Sequence, residues 1–235
     1  LSYSFVLFIK QQEPRFCFKL RETKNSTHKG IKKFSILVPT SDDILTTGTM
    51  KNITIFASGN GTNAQAIIDH LAQQAYARVA LIVVNKPEAY VIQRAKKHNI
   101  PVELISRKDS PAELLELLAR YATDFIVLAG YLALIPSQVV ATYSHRIINL
   151  HPALLPKFGG KGMFGEHVHT AVLAAHEKVS GITIHYVDEQ YDTGFPILQA
   201  SCPVNPQDTP QTLAERIHLL EHRYLPFVLN LLLNS

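Results

Sequence analysis

From Lys51 onward the chain alternates short, nearly continuous apolar runs with stretches in which apolar residues return every three or four positions. The runs NITIFA (52–57), VALIVV (79–84), 102–105, FIVLA (125–129) and RIINL (146–150) predict strands, and 63–74, 88–98 and 111–121 predict helices, with a further short helix after Pro136. Strands apolar along their whole length imply burial on both faces, so the alternation reads as parallel βαβ units. The expected fold is α/β: a Rossmann-like, doubly wound, mostly parallel sheet with helices on both faces. After Asn149 the rhythm changes to a Pro/Gly-rich loop, a helix over 166–176, strands over 181–187 and 196–202, and a closing helix from Pro210, which places antiparallel strands near the C-terminal end. Residues 1–49 keep neither period and hold only a short apolar stretch, Phe5 to Ile9. The expected organisation is therefore a poorly ordered leader, 1–49, outside a single domain of 50–235, with Met50 as the natural start.

Charge sharpens that boundary. Eight of the 23 Lys/Arg and four of the 19 Asp/Glu lie before Met50, leaving 15 of each in the remainder, so the net charge of +4 belongs to the leader. The body thus lacks the basic footprint of a nucleic-acid binder. No apolar run reaches the roughly 18 to 20 residues that span a bilayer. Lys10 follows the leader's apolar stretch instead of preceding it, unlike a secretory signal. Two cysteines, Cys17 and Cys202, give no disulfide framework and suit a cytoplasmic setting.

Two segments carry candidate chemistry. SGNGTN, Ser58 to Asn63, joins the first strand to a helix, so Gly59, Asn60, Gly61, Thr62 and Asn63 can present backbone amides to a phosphate at the helix N-terminus. The competing reading is a tight turn in which Thr62 or Asn63 caps the helix. Gly59, Gly61 and Ala64 also fit the dinucleotide fingerprint, but Asn85 and Lys86 stand where that fingerprint needs an acidic residue, so a monophosphate fits better. At the end of the fifth strand Asn149 and His151 share a face, and Asp192 lies in a turn between the two later strands. An amide, an imidazole and a carboxylate suffice for acyl transfer to an amine, with Asn149 and a cationic His151 stabilising an oxyanion and Asp192 raising the imidazole pKa. Each is also an ordinary structural residue type: a strand terminus, a bonded histidine, a turn former. His167 and His169 would not share a face on a helix, so no metal is expected.

The order SGNGTN, AGYL (129–132), NLHPALLPKF (149–158), GITIHYVDEQYDTGFPILQ (181–199) and AERIHLLEHRYLP (214–226) resembles the phosphoribosylglycinamide formyltransferases over essentially all of 50–235. The resemblance implies transfer of a formyl group from 10-formyltetrahydrofolate, as cosubstrate, to the amine of 5-phosphoribosylglycinamide in purine biosynthesis. It implies Asn149, His151 and Asp192 as catalytic residues; Gly59 to Asn63, Pro152 and Glu221 for the phosphoribosyl substrate; and Arg107, Leu132, Ala133, Leu134, Ile135, Val187 and Asp188 for the folate. The expected partners are these small molecules, in a monomer or homodimer. The Gly159 to Gly165 stretch has no assigned contacts, and a lid is expected there. Methionyl-tRNA formyltransferases and formyltetrahydrofolate hydrolases resemble the same core but add further domains, and a phosphate-binding module without catalysis would not need Asn149 or Asp192.

Overall fold

The computed structural model describes residues 49–106 and 110–234, together with the strand segments 4–7, 20–22 and 34–36. In chain order the elements are β1 (Ser4–Leu7), β2 (Leu20–Glu22), β3 (Phe34–Ile36), β4 (Lys51–Ala57), α1 (Thr62–Leu71), β5 (Ala77–Val84), α2 (Val91–Lys97) and β6 (Val102–Leu104). They continue as α3 (Pro111–Arg120), β7 (Phe125–Leu128), α4 (Ser137–Thr142), β8 (Ile147–His151), α5 (Glu166–Ala174), β9 (Val179–Tyr186), β10 (Pro196–Pro203) and α6 (Pro210–Leu233).

The chain divides into two compact units, 1–8 with 50–234, and 9–49 with 235. In the first unit an eight-stranded sheet runs β1-β10-β9-β8-β7-β4-β5-β6. Strands β6, β5, β4, β7 and β8 pair in parallel, and β9, β10 and β1 continue antiparallel. In the second unit β2 and β3 pair antiparallel. Every strand and helix read from the patterning after Lys51 is present within a few residues. The patterning marked none of β1, β2 and β3; Ser4–Leu7 lies on the sheet edge against Leu198–Ser201.

Alternation along the strands divides the core. Ile53, Ile55 and Ala57 of β4 pack in one buried cluster with residues of α1, α2, α5 and α6, while Phe56 of the same strand packs in another with residues of α3 and α4. Both faces of the parallel strands are thus covered, which is why these strands are apolar at most of their central positions. Helix α3 starts at a capping box between Ser110 and Glu113 with Pro111 in its first turn, as the sequence SPAE specifies. No helix among the described residues is long and apolar enough to cross a membrane. The sheet reverses order between β4, β5 on one side and β7, β8 on the other, and the carboxyl ends of these strands open into one cavity, as open α/β sheets do at such a point.

Candidate active site

The cavity, about 650 Å³, runs from the β4–α1 loop to the turn after β9. Its size is that of an ordinary small-molecule site.

At the first end, the loop after β4 leads into α1 through Gly61, which is the N-cap at φ 73° and offers no side-chain cap. Capping by Thr62 or Asn63 is therefore not what the chain does, because the helix begins at Thr62 itself. The carbonyls of Gly59, Asn60 and Gly61 accept from Val91 N–H, Arg94 Nε–H and Gln65 N–H. A trans peptide sets its N–H opposite its C=O, so the amides of Asn60, Gly61 and Thr62 are turned the other way. This is the geometry of an anion cradle at a helix N-terminus. A Cβ at Gly61 would lie 2.4 Å from Val91 Cγ2, so glycine is required there by packing as well as by its positive φ. A Cβ at Gly59 would meet nothing within 4 Å. Glu221, from α6, closes this end: its Oε2 accepts from Asn63 Nδ2 at 2.9 Å and lies 2.8 Å from His218 Nδ1. Burial alone would raise the Glu221 carboxyl, but the bonds from His218 and Asn63 hold it below its ordinary value. The same contact raises His218. Two polar atoms buried here, Asn63 Oδ1 and His169 Nδ1, have no hydrogen-bond partner among the described residues.

At the second end, β8 delivers Asn149 and His151, and antiparallel pairing with β9 sets His185 opposite Asn149. Asp192 follows in a turn at φ 59°, a conformation aspartate tolerates better than most residues. The turn can lie close to β9 because Gly194 has no side chain: a Cβ there would be 1.7 Å from the Tyr186 carbonyl oxygen. Asp188 Oδ1 and Oδ2 accept from Thr193 Oγ1 at 2.7 and 2.8 Å, tying the two sides of the turn together.

The bonding of the imidazoles fixes their protons. His151 Nε2 lies 2.8 Å from the Phe158 carbonyl oxygen, which can only accept. The one proton of a neutral ring is therefore on Nε2, and Nδ1 faces Asp192 Oδ2 at 3.5 Å without a hydrogen between them. His185 Nδ1 likewise donates to the Tyr186 carbonyl at 2.8 Å, and its Nε2 lies 3.1 Å from Asn149 Nδ2 and 3.6 Å from Asp192 Oδ1. Asn149 Nδ2 donates to Asp192 Oδ1 at 3.2 Å, and Asp192 Oδ2 accepts from Gly160 N–H at 2.9 Å. Burial lowers the His151 pKa by more than the Asp192 charge raises it. Asp192 raises the imidazole pKa, as expected, but His151 is 3% exposed, and loss of hydration outweighs a single carboxylate at 3.5 Å. Burial would also raise Asp192, yet His185, the charge His151 gains at the acid pH where a carboxylate titrates, and the Gly160 amide together hold it below the ordinary value, so the carboxylate stays ionised.

The residues expected from the sequence gather in this one cavity: Gly59 to Asn63, Leu132 to Ile135, Asn149, His151, Pro152, Val187, Asp192 and Glu221 all line it. Asp188 instead braces the turn behind it, and Arg107 lies outside the described residues. Gly160 to Gly165 line the cavity too, with Gly160 bonded directly to Asp192. His167 is exposed and His169 buried on α5, and among the described residues no group of three or more His, Cys, Asp or Glu could hold a metal ion. Sequence reasoning missed His185, His218 and the Phe158 carbonyl. Only strand register could have found the first, and only the i,i+3 spacing to Glu221 the second.

An uncapped helix N-terminus and an amide–imidazole–carboxylate group thus line one cavity at the carboxyl edge of the sheet. The chain belongs to the formyl transferase family, whose model matches residues 51–229. It is 41% identical over 181 residues to the phosphoribosylglycinamide formyltransferase, chloroplastic, of Arabidopsis thaliana, covering 74% of this chain and 62% of that one. It is 40% identical over 191 residues to the phosphoribosylglycinamide formyltransferase of Bacillus subtilis, covering 78% and 95%. The crystal structure of the Bacillus halodurans phosphoribosylglycinamide formyltransferase superposes with a TM-score of 0.72 at 41% identity, over 79% of this chain and 96% of that one. The chain thus spans less than two thirds of the plant relative's length and nearly all of the bacterial ones.

Proposed function

We propose that this chain transfers the formyl group of 10-formyltetrahydrofolate to the amine of 5-phosphoribosylglycinamide. The observation that carries the reading is the bare Nδ1 of His151, a proton acceptor held beside an ionised carboxylate and facing a cavity whose other end is an anion cradle. The α1 amides take the phosphate, Glu221 accepts from the ribose hydroxyls, and the amine reaches the His151 end. Leu132, Ala133, Leu134, Ile135 and Val187 supply an apolar wall, which suits a flat heteroaromatic donor. Bound there, the folate supplies the formyl carbon.

As the amine nitrogen bonds to that carbon, the formyl oxygen gains negative charge and the nitrogen must lose a proton. His151 Nδ1 accepts it, and Asp192 stabilises the imidazolium that forms. The new Nδ1–H and one Asn149 amide proton, exchanged from its 3.1 or 3.2 Å partner, then donate to the oxyanion. When the carbon–nitrogen bond to the folate breaks, His151 returns the proton to the departing nitrogen, and the site is restored.

Incubation with both substrates, followed by the absorbance of the folate product, tests the reading. Formylated glycinamide ribonucleotide is expected. Formate release without the amine substrate would instead make the chain a hydrolase, and no turnover would leave only a phosphate-binding module.

A further inference from the structure

We infer that Arg94 is a positioning residue for anion recognition, acting from behind the β4–α1 loop. The inference rests on the phosphate reading above. Of the donors that hold the loop carbonyls of Gly59, Asn60 and Gly61, two are backbone amides, and the third is the Arg94 guanidinium. Its Nε donates to the Asn60 carbonyl at 2.8 Å and its Nη2 to Asn60 Oδ1 at 2.7 Å, a two-point grip on one residue. The guanidinium also lies 5.2 Å from the centre of the Tyr90 ring, which supports it from the same helix start. Arg94 does not line the cavity. Its action on a ligand must therefore pass through the loop.

The peptide between Asn60 and Gly61 is the one most able to turn over, because a flip requires a change at φ of Gly61, and glycine permits either sign. A flip would aim the Asn60 carbonyl oxygen where the Gly61 amide now points and set a negative dipole end against the anion. Val91 N–H and Gln65 N–H hold the peptides on either side but cannot hold this one. The Arg94 grip selects the amide-out state before ligand arrives, and its charge, led through the Asn60 carbonyl, polarises that peptide in the direction an anion prefers.

The test uses the full chain with Arg94→Gln, Arg94→Lys and Asn60→Ala. Steady-state kinetics are measured for both substrates, and binding of ribose 5-phosphate by calorimetry. Arg94→Gln is expected to raise KM for 5-phosphoribosylglycinamide and the Kd for ribose 5-phosphate roughly tenfold, as loss of a charge-assisted pair of bonds implies. Its kcat and folate KM should stay within about twofold, since no contact with the reacting atoms is removed. Arg94→Lys should recover part of the affinity, because one ammonium reaches only one of the two Asn60 oxygens. Asn60→Ala keeps the carbonyl and should cost about threefold, with no further loss when added to Arg94→Gln. Unchanged ribose 5-phosphate affinity in Arg94→Gln overturns the inference, as does an equal rise in both substrates' KM values. Wild-type chain that binds ribose 5-phosphate but transfers no formyl group overturns the functional reading alone.

Discussion

The two ends of the cavity are built from the same parts, with their imidazole pKa values pushed in opposite directions. At each, a buried carboxylate accepts from one asparagine amide and faces a histidine Nδ1: Asp192 with Asn149 and His151, Glu221 with Asn63 and His218. The separations differ, 3.5 Å for Asp192–His151 and 2.8 Å for Glu221–His218. So does exposure of the imidazole, whose side chain is 4% accessible in His151 and 50% in His218. Where water reaches the ring, the carboxylate wins and the imidazole pKa rises; where it does not, desolvation wins and the pKa falls. The Phe158 carbonyl completes the difference by holding His151's proton on the far nitrogen. The closer pair, which favours its proton, is suited to binding, and the other, which gives its proton up more readily, is suited to moving one.

The largest effect should come from breaking the wider pair. Asp192→Asn removes the charge that would stabilise the imidazolium and should lower kcat on the order of 10² to 10³, leaving both KM values within a few-fold. The loss should not add to that of His151→Ala, because the two act as one unit. A near-normal kcat in Asp192→Asn would remove the carboxylate from the chemistry.

The closer pair should respond in the other parameter. Glu221→Gln keeps the shape but removes the charge that raises the His218 pKa and the charged acceptor offered to the ribose. We expect KM for 5-phosphoribosylglycinamide to rise about tenfold with kcat largely kept. A kcat loss as large as that of Asp192→Asn would erase the division between the two ends.

The pH dependence of kcat/KM sharpens the same contrast. If His151 must be neutral to accept a proton, activity falls as pH drops, with its inflection below the ordinary imidazole value of 6.5 because burial lowers that pKa. The Asp192 charge opposes that lowering, so Asp192→Asn should move the residual acid limb further down. Activity that instead falls as pH rises through the imidazole range would mean that the imidazolium is the working form.

How far the sequence revealed these ends follows from what each rests on. Strands buried on both faces carry an unbroken apolar signal, so β4, β5, β7 and β8 and the cavity at their carboxyl ends were legible, and with them Gly59 to Asn63, Asn149, His151 and Asp192. The edge strand β1 pairs with one neighbour only, and its four residues are too few to show a period. The Asp192 contribution to the His151 pKa is legible in the motif order, whereas the larger opposing effect of burial and the backbone carbonyl seven residues away are not. Arg94 was invisible for a similar reason: its partner Asn60 is 34 positions distant and is gripped partly through its backbone.

The smallest expected effect is the stability that the Glu221–His218 pair contributes. His218 has a raised pKa in the folded chain, so its contribution is fully present below the ordinary 6.5 and is lost as pH rises through the folded value. Glu221 has a lowered pKa, so its contribution is present above the ordinary 4.5 and is lost as pH falls through the folded value. The pair therefore stabilises most between these limits and fades on the alkaline side. Because half of the His218 side chain is in water, screening keeps the effect below about 1 kcal/mol, or roughly 1–3 °C in Tm for a chain of this size. The Tm difference between wild type and His218→Gln should accordingly be measurable near about pH 5.5 and shrink toward zero near about pH 8.5, above the ordinary imidazole range. His222, stacked 6.1 Å from His218, has a pKa lowered by burial and acts with the opposite sign, but it is present in both proteins and largely cancels in the difference. A Tm gap that is constant with pH, or that widens as pH rises, would show that His218 does not carry the charge that sets this end of the cavity apart from the other.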